Sequence, residues 1–448
     1  SDAAKYMTKN EMSALLINID ENTTAGIVTD HDIRARVVAA NEIVSEPVYK
    51  IMSSPLITIT ENSLVFEAIL KMQEKRVRHL AVKDVGGNIT SVVSFEELMQ
   101  AQTYSLSIII HEIEHAESVA EIIEVHDKMP QLINTLINSG ANTQNITRII
   151  TSVTDTISRK LIEFAINDLG QPPGKFAFIV LGSEGREEQT LATDQDNAII
   201  FEETDNEVDK DYYIKLGEKV CNWLNDVGYK FCEGNIMAKN PKWCQPFSVW
   251  KEYFSNWILL PESKNLLNIN IFFDYRMVYG HSGFVEDLTK FIYREVEKTD
   301  QFYYHFAGNA LQFKSPLDFF GNIRTTNTAQ KEGVFSIKES IVPLVSFARI
   351  YALKNGVIET NTLARMKQLV NGEFIREEMY DEFVVAYNYL MLMRFTHQIE
   401  LIQQGKTADN FIVLKKQTGI EQTMLKKVFN QIADFQKNIA MNFTGKTI

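Results

Sequence analysis

One stretch constrains the fold more than any other: "FIVLGSEGREEQTLATDQDNAIIF", Phe178 to Phe201, where two apolar runs flank a glycine-serine pair and an Asp-Gln-Asp triplet. Short apolar runs bounded by turn residues read as buried strands, so the segment predicts strand, tight turn with a short helical start, and a second strand adjoining the first. In an extended chain residues i and i+2 share a face, which places the carboxylates of Asp194 and Asp196 side by side and turns Gln195 away. Two carboxylates that close repel unless a cation lies between them. Mg2+, or Mn2+ in its place, meets that need and leaves coordination positions for phosphates. The plainer alternative is a strand end with two solvated aspartates. It does not explain the turn ahead of them, whose backbone N–H groups approach a phosphate closely because Gly182 and Gly185 carry no side chain.

At 448 residues the chain exceeds what one hydrophobic core usually serves, which points to two to four domains. A formal net charge of −13, with no long Lys/Arg stripe, opposes binding to nucleic acid. Cys221, Cys232 and Cys244 form an odd set without Cys-x-x-Cys spacing, which suits a reducing compartment. No apolar run approaches the ~20 residues of a membrane span and no signal-peptide pattern opens the chain, so the cytoplasm is expected and a membrane is not.

A shift of 65 positions aligns Met7–Ile33 with Met72–Leu98 without a gap. Identities are few, but helix end, strand, polar turn, strand and helix start recur in step, as in duplicated supersecondary units. The second copy has an upstream portion, "PVYKIMSSPLITITENSLVFEAILK" from Pro47, that the first lacks, so an earlier natural start is expected. These pieces, with "GIVTDHDI", resemble a CBS-domain pair. The resemblance implies β-α-β-β-α modules that dimerise and bind adenine nucleotide, with Asp32 on ribose hydroxyls and Thr29 on a phosphate. The second copy departs from the signature, carrying Ser91, Ser94 and Glu97 at the corresponding places. A pair that serves only as a dimerisation platform is the alternative.

Residues 103–170 show apolar spacings of three and four and predict a helical hairpin joining the modules. Within it "HEIEH", His111 to His115, satisfies the zinc-protease pattern in which two imidazoles share a helix face. The match is one short pattern in an acidic amphipathic stretch with no third ligand in view, and a solvated helix is expected.

The Gly-Ser turn, a spacer of about ten residues and Asp-x-Asp resemble the nucleotidyltransferase superfamily with the DNA polymerase β-like fold. The fuller string is similar to the branch of the protein-PII uridylyltransferases and glutamine synthetase adenylyltransferases, and closer still to nucleotidyltransferases that carry CBS modules upstream. The resemblance implies that Gly182 and Ser183 hold the β- and γ-phosphates and that Asp194 and Asp196 hold metals. It further implies a third carboxylate on a neighbouring strand, carried to Asp274, read as the end of a strand in "LNINIFFDYRMVYG". A turn-capping aspartate is the alternative there. Arg186 and Lys242 are candidates for neutralising the triphosphate, with surface salt bridges as the bland reading.

Beyond about Val285 six stretches with three/four spacing predict an α-helical bundle. Its aromatic and Met positions, among them Tyr387, Tyr389, Met391 and Met393, read as core packing. Lys338, Arg349 and His397 lie in motif-like stretches that helix-surface polarity explains equally well. The expected whole is an α+β multidomain chain: a CBS pair over 1–102 with its first module incomplete, a helical linker over 103–170, a nucleotidyltransferase core over 171–284 and a helical domain over 285–448. The expected activity is Mg-dependent transfer of a nucleoside monophosphate from a nucleoside triphosphate to a hydroxyl of an acceptor, such as a signalling protein. A homodimer through the CBS pair and regulation by adenine nucleotide there complete the expectation. The alternative is a non-catalytic adenine-nucleotide sensor that signals to a protein partner.

Overall fold

A computed structural model of the chain describes every residue except 1, 11, 19–23, 44, 64, 102–105, 260–269, 319, 329–330 and 446–448. The chain is α+β and divides into two compact units, 1–108 and 109–448.

In the first unit, helix α1 (Asp2–Lys9) precedes the antiparallel strands β1 (Ala14–Asn18) and β2 (Thr24–Thr29), and a single helical turn, α2 (Asp30–Ile33), follows. Strand β3 (Thr58–Thr60), helix α3 (Val65–Lys75), strands β4 (His79–Lys83) and β5 (Ile89–Ser94) and helix α4 (Phe95–Ala101) complete it. β3 runs parallel and β5 antiparallel to β4. The shift of 65 carries β1 onto β4 and β2 onto β5 residue for residue, and the register irregularity at Ile17/Asn18 recurs at Val82/Lys83. The pattern repeats because each copy must bury the same side of a hairpin, here against Ala68, Ile69, Met72 and Leu98 in the second copy.

Where a hairpin is expected the chain forms four helices: α5 (Leu106–His115), α6 (Val119–His126), α7 (Met129–Asn138) and α8 (Thr143–Leu169). Ser118 and Asn142 cap α6 and α8 by accepting from the N–H groups of Glu121 and Asn145. α8 is no mere connector. It packs on α10 (Glu207–Val227) and on the edge of the central sheet, so the domain that the sheet defines begins well before residue 171.

That sheet consists of β6 (Phe176–Leu181), β7 (Asn197–Phe201), β8 (Cys244–Pro246) and β9 (Tyr275–Gly280) in the order β8-β7-β6-β9. β6 and β7 are buried at every position, as their unbroken apolar runs require. Between them lies the turn α9 (Gly182–Gly185). α11 (Phe247–Leu259) is tied to β7 by the Trp250 indole, which donates to the Ile199 carbonyl over 3.1 Å.

The six expected C-terminal helices are α12 (Gly283–Val296), α13 (Asp300–Ala310), α14 (Ile337–Lys354), α15 (Thr362–Asn371), α16 (Glu377–Gln403) and α17 (Gly419–Ile439). α14 is their hub, packed on α13, α15, α16 and α17. Tyr387 and Met391 are buried in this core, while Tyr389 and Met393 are half-buried. The bundle also holds a short antiparallel pair not expected from periodicity, β10 (Val334–Ser336) with β11 (Phe411–Val413). No helix among the described residues is long and apolar enough to cross a membrane.

Candidate active site

Asp194 and Asp196 lie in extended chain immediately ahead of β7, pinned on both sides. Gln195 N–H donates to the Lys230 carbonyl over 2.9 Å, and Leu181 N–H donates to the Asp196 carbonyl over 2.8 Å. Gln195 points inward, its amide donating to the Cys221 and Tyr229 carbonyls. The aspartates are left facing the other way, as the i, i+2 rule requires. Burial, partly opposed by the Cys232 thiol and the Lys338 ammonium, pushes Asp196 up to about 6, and the charge of Asp194 adds to the rise. Lys338, near the start of α14, stands 3.6 Å from Asp194.

The turn meets this pair directly. Gly182 has φ +58°, and a Cβ there would lie 2.8 Å from Ile271 and 3.4 Å from the Asp196 carboxylate. Ser183 beside it is half-exposed. Gly185 is glycine for a different reason than access to a phosphate: a Cβ would sit 2.1 Å from the Asp274 carbonyl oxygen. The next acid in the turn, Glu184, is pushed up to about 8 by burial and then by Asp155, with Arg276 opposing.

Asp274 departs from the expectation. It does not end a strand: Asn270–Phe273 is a 3-10 turn and β9 begins after it, while residues 267–269 of the expected strand lie outside the described residues. Its carboxylate is fully buried and ringed by three guanidiniums. Arg186 donates to it over 2.7 Å, Arg365 over 2.6 Å, and Arg349 through Nε over 3.0 Å and also through Nη2. Burial would raise its pKa, but the three arginines outweigh burial and hold it far below the carboxylate range. A carboxylate whose oxygens are saturated in this way has no lone pair directed at a metal beside Asp194. No group of three acidic, His or Cys side chains suited to a metal occurs among the described residues. On the far side of β7 the neighbouring strand, β8, carries Cys244, Gln245 and Pro246 and no acid.

Arg186 is likewise engaged, donating to Glu188 over 2.8 Å as well as to Asp274, rather than free for a triphosphate. Lys242 is exposed, lies over the Trp243 ring and makes no ion pair among the described residues, whereas Lys338 reaches Asp194. Arg349 proves to be a partner of Asp274, and His397 a partner of Asp409 at 3.0 Å. Sequence reasoning missed Arg365, Glu188 and Arg394. The signal for Arg394 was present: it falls on the same stripe of α16 as Tyr387, Met391 and Gln398, a charge where periodicity demands core.

Two carboxylates side by side, answered by an ammonium, fit a divalent cation with open positions; the third expected ligand does not join them. When bound, such a cation supplies Lewis-acid stabilisation of charge on phosphoryl oxygens.

At the other candidate site Thr29 and Asp32 form a capping box. Asp32 accepts from the Thr29 N–H over 3.0 Å and its hydroxyl over 2.8 Å, and the Asp32 N–H donates back to the hydroxyl. Ser94 and Glu97 build the same box in the second copy, so their departure from the signature preserves the local structure. In "HEIEH" the Glu112 carboxylate is taken by Lys128 at 2.7 Å.

Family models match in three places. Residues 127–264 match the "Putative nucleotidyltransferase DUF294" model, residues 300–443 match a "Putative nucleotidyltransferase substrate binding domain", and residues 1–39 and 48–104 match the CBS domain. An uncharacterized protein of Methanopyrus kandleri is 29% identical over 25% of this chain and 57% of its own length. A 17.7 kDa uncharacterized protein of Acidianus ambivalens is 30% identical over 22% of this chain and 60% of its own. The chain thus spans little more than half the length of these curated relatives. A solved CBS domain protein from Pyrobaculum aerophilum, in complex with AMP, is 23% identical, covers 23% of this chain and 84% of its own, and superposes with a TM-score of 0.21. The chain therefore carries CBS domains, a domain of the DUF294 nucleotidyltransferase type and the substrate-binding domain that accompanies that type.

Proposed function

We propose that the chain is a nucleotidyltransferase that moves a nucleoside monophosphate from a nucleoside triphosphate to a hydroxyl. The acceptor oxygen attacks the α-phosphorus in line, the bond to the β-phosphate oxygen breaks, pyrophosphate leaves with the bonding electron pair, and the hydroxyl proton passes to solvent. The observation that carries this reading is the closeness of the Gly182 turn to the Asp196 carboxylate, which lies 3.4 Å from where a Cβ would stand, so that a backbone able to cradle phosphate faces a pair able to hold a cation. Mg2+ or Mn2+ would be held by Asp194 and Asp196. The similarity to protein-PII uridylyltransferases favours a tyrosine of a signalling protein as acceptor. The intact Thr29/Asp32 signature favours adenine nucleotide as the regulator at the CBS pair, in a cytoplasmic homodimer.

The test is incubation with Mg2+ and each α-labelled nucleoside triphosphate, with and without host lysate. Label on a partner and released pyrophosphate, both lost in Asp196→Asn, support transfer. The seclusion of Asp274 among arginines favours a second reading, a non-catalytic nucleotide sensor. Nucleotide binding without label or pyrophosphate from any triphosphate would establish that reading instead.

A further inference from the structure

Arg394 is 7% exposed, and its one hydrogen bond among the described residues runs from Nε to the neutral Asn410 side-chain oxygen over 2.7 Å. A buried guanidinium without a carboxylate is costly, so its retention calls for a reason. Two buried acids of this junction, Glu188 and Asp274, are already engaged. Glu188 accepts from Arg186 over 2.8 Å and from the Thr362 N–H over 2.6 Å, and Asp274 is held by three other arginines. Around this junction four guanidiniums (Arg186, Arg349, Arg365, Arg394) and the Lys338 ammonium meet four carboxylates (Asp274, Glu188, Asp194, Asp196), which leaves one positive charge in excess. Asn410 ties Arg394 to the segment that reaches the aspartate pair: its backbone carbonyl accepts from the Ile337 N–H over 2.9 Å, and the next residue, Lys338, stands 3.6 Å from Asp194. Asn410 also accepts from Gln398, whose own carbonyl oxygen is buried without a partner. That asparagine orients the arginine and offers its charge no counter-ion.

We infer that Arg394, together with Lys338 at Asp194, binds the polyphosphate tail of the nucleotide, so that the C-terminal helical domain completes an anion site that the Gly182 turn begins. The surplus positive charge matches a polyanion, and a planar fork suits phosphate oxygens. This deepens the transferase reading and rests on it for the identity of the anion.

The probe is inorganic tripolyphosphate, which has no adenosine for the CBS pair to take, titrated calorimetrically with Mg2+ into the full chain, Arg394→Met and Arg394→Lys. Arg394→Met should weaken binding at least tenfold, Arg394→Lys should recover part of it, and the Tm of unliganded Arg394→Met should equal or exceed that of the wild type, because a buried unpaired charge is gone. Wild-type affinity in Arg394→Met overturns the inference, as does loss of affinity in step with a large fall in Tm, the mark of a structural arginine. A wild-type chain that binds tripolyphosphate through Arg394 but releases no pyrophosphate from any nucleotide leaves this inference standing and removes the transferase. Unchanged turnover and KM in Arg394→Met does the reverse.

Discussion

The carboxylates of this chain divide by their neighbours, not by their residue type. Asp274 and Asp196 both read as metal ligands, yet one sits among three arginines and the other beside one lysine and a second aspartate. Removing one partner of a buried ion cluster leaves uncompensated charge, a loss of about 3–5 kcal/mol. Asp274→Asn should therefore lower stability by that order in urea denaturation, whereas Asp194→Asn should leave stability near wild type while abolishing transfer. An equal, small effect of both would return Asp274 to the metal site. Glu184 gives the pH dependence. Its carboxyl, raised to about 8, keeps in the folded state a proton that the unfolded chain has released. The stability it contributes is complete below the ordinary carboxyl range and is lost as pH rises through about 8. Glu184→Gln should accordingly raise Tm at pH 8 and leave it unchanged near pH 4, as followed by circular dichroism; a uniform shift at both would place the effect in packing.

At the scale of elements the turn α9 is specified by contact as much as by conformation. Gly185→Ala drives a methyl against the Asp274 carbonyl at 2.1 Å, backbone that cannot swing aside, and should cost more than about 2 kcal/mol. Gly308, inside α13 with nothing within 4 Å of its Cβ position, is the control: Gly308→Ala should stabilise by up to about 1 kcal/mol through helix propensity. Chemical denaturation of the pair checks both signs. The elements themselves were largely legible. β6, the turn and β7 follow from apolar runs and glycine, and the six C-terminal helices from three/four spacing. The linker was misjudged because periodicity does not report caps: Ser118 and Asn142 break it into four helices, and α8 belongs to the sheet it packs on. β10 and β11 escaped notice because three-residue strands that meet across the fold have no pattern of their own.

For the molecule as a whole, two compact units imply separable responses. Asp32→Ala removes a capping box within residues 1–108 and should lower the stability of that unit by about 1 kcal/mol while weakening adenine-nucleotide binding. Scanning calorimetry should then show a shift confined to one transition; unchanged affinity would leave the pair as a dimerisation platform. What the amino-acid sequence determined by itself is whatever local periodicity and short motifs encode: the duplicated hairpins, the turn and aspartate pair, and the helical bundle. Only tertiary structure decided the partners of the charged groups. Asp274 meets Arg186, Arg349 and Arg365 from 88, 75 and 91 residues away, and Arg394 is buried with a neutral asparagine as its hydrogen-bond partner. An aspartate looks the same in sequence whether a metal or a guanidinium awaits it, because ionic pairing depends on distance in space and carries no period along the chain.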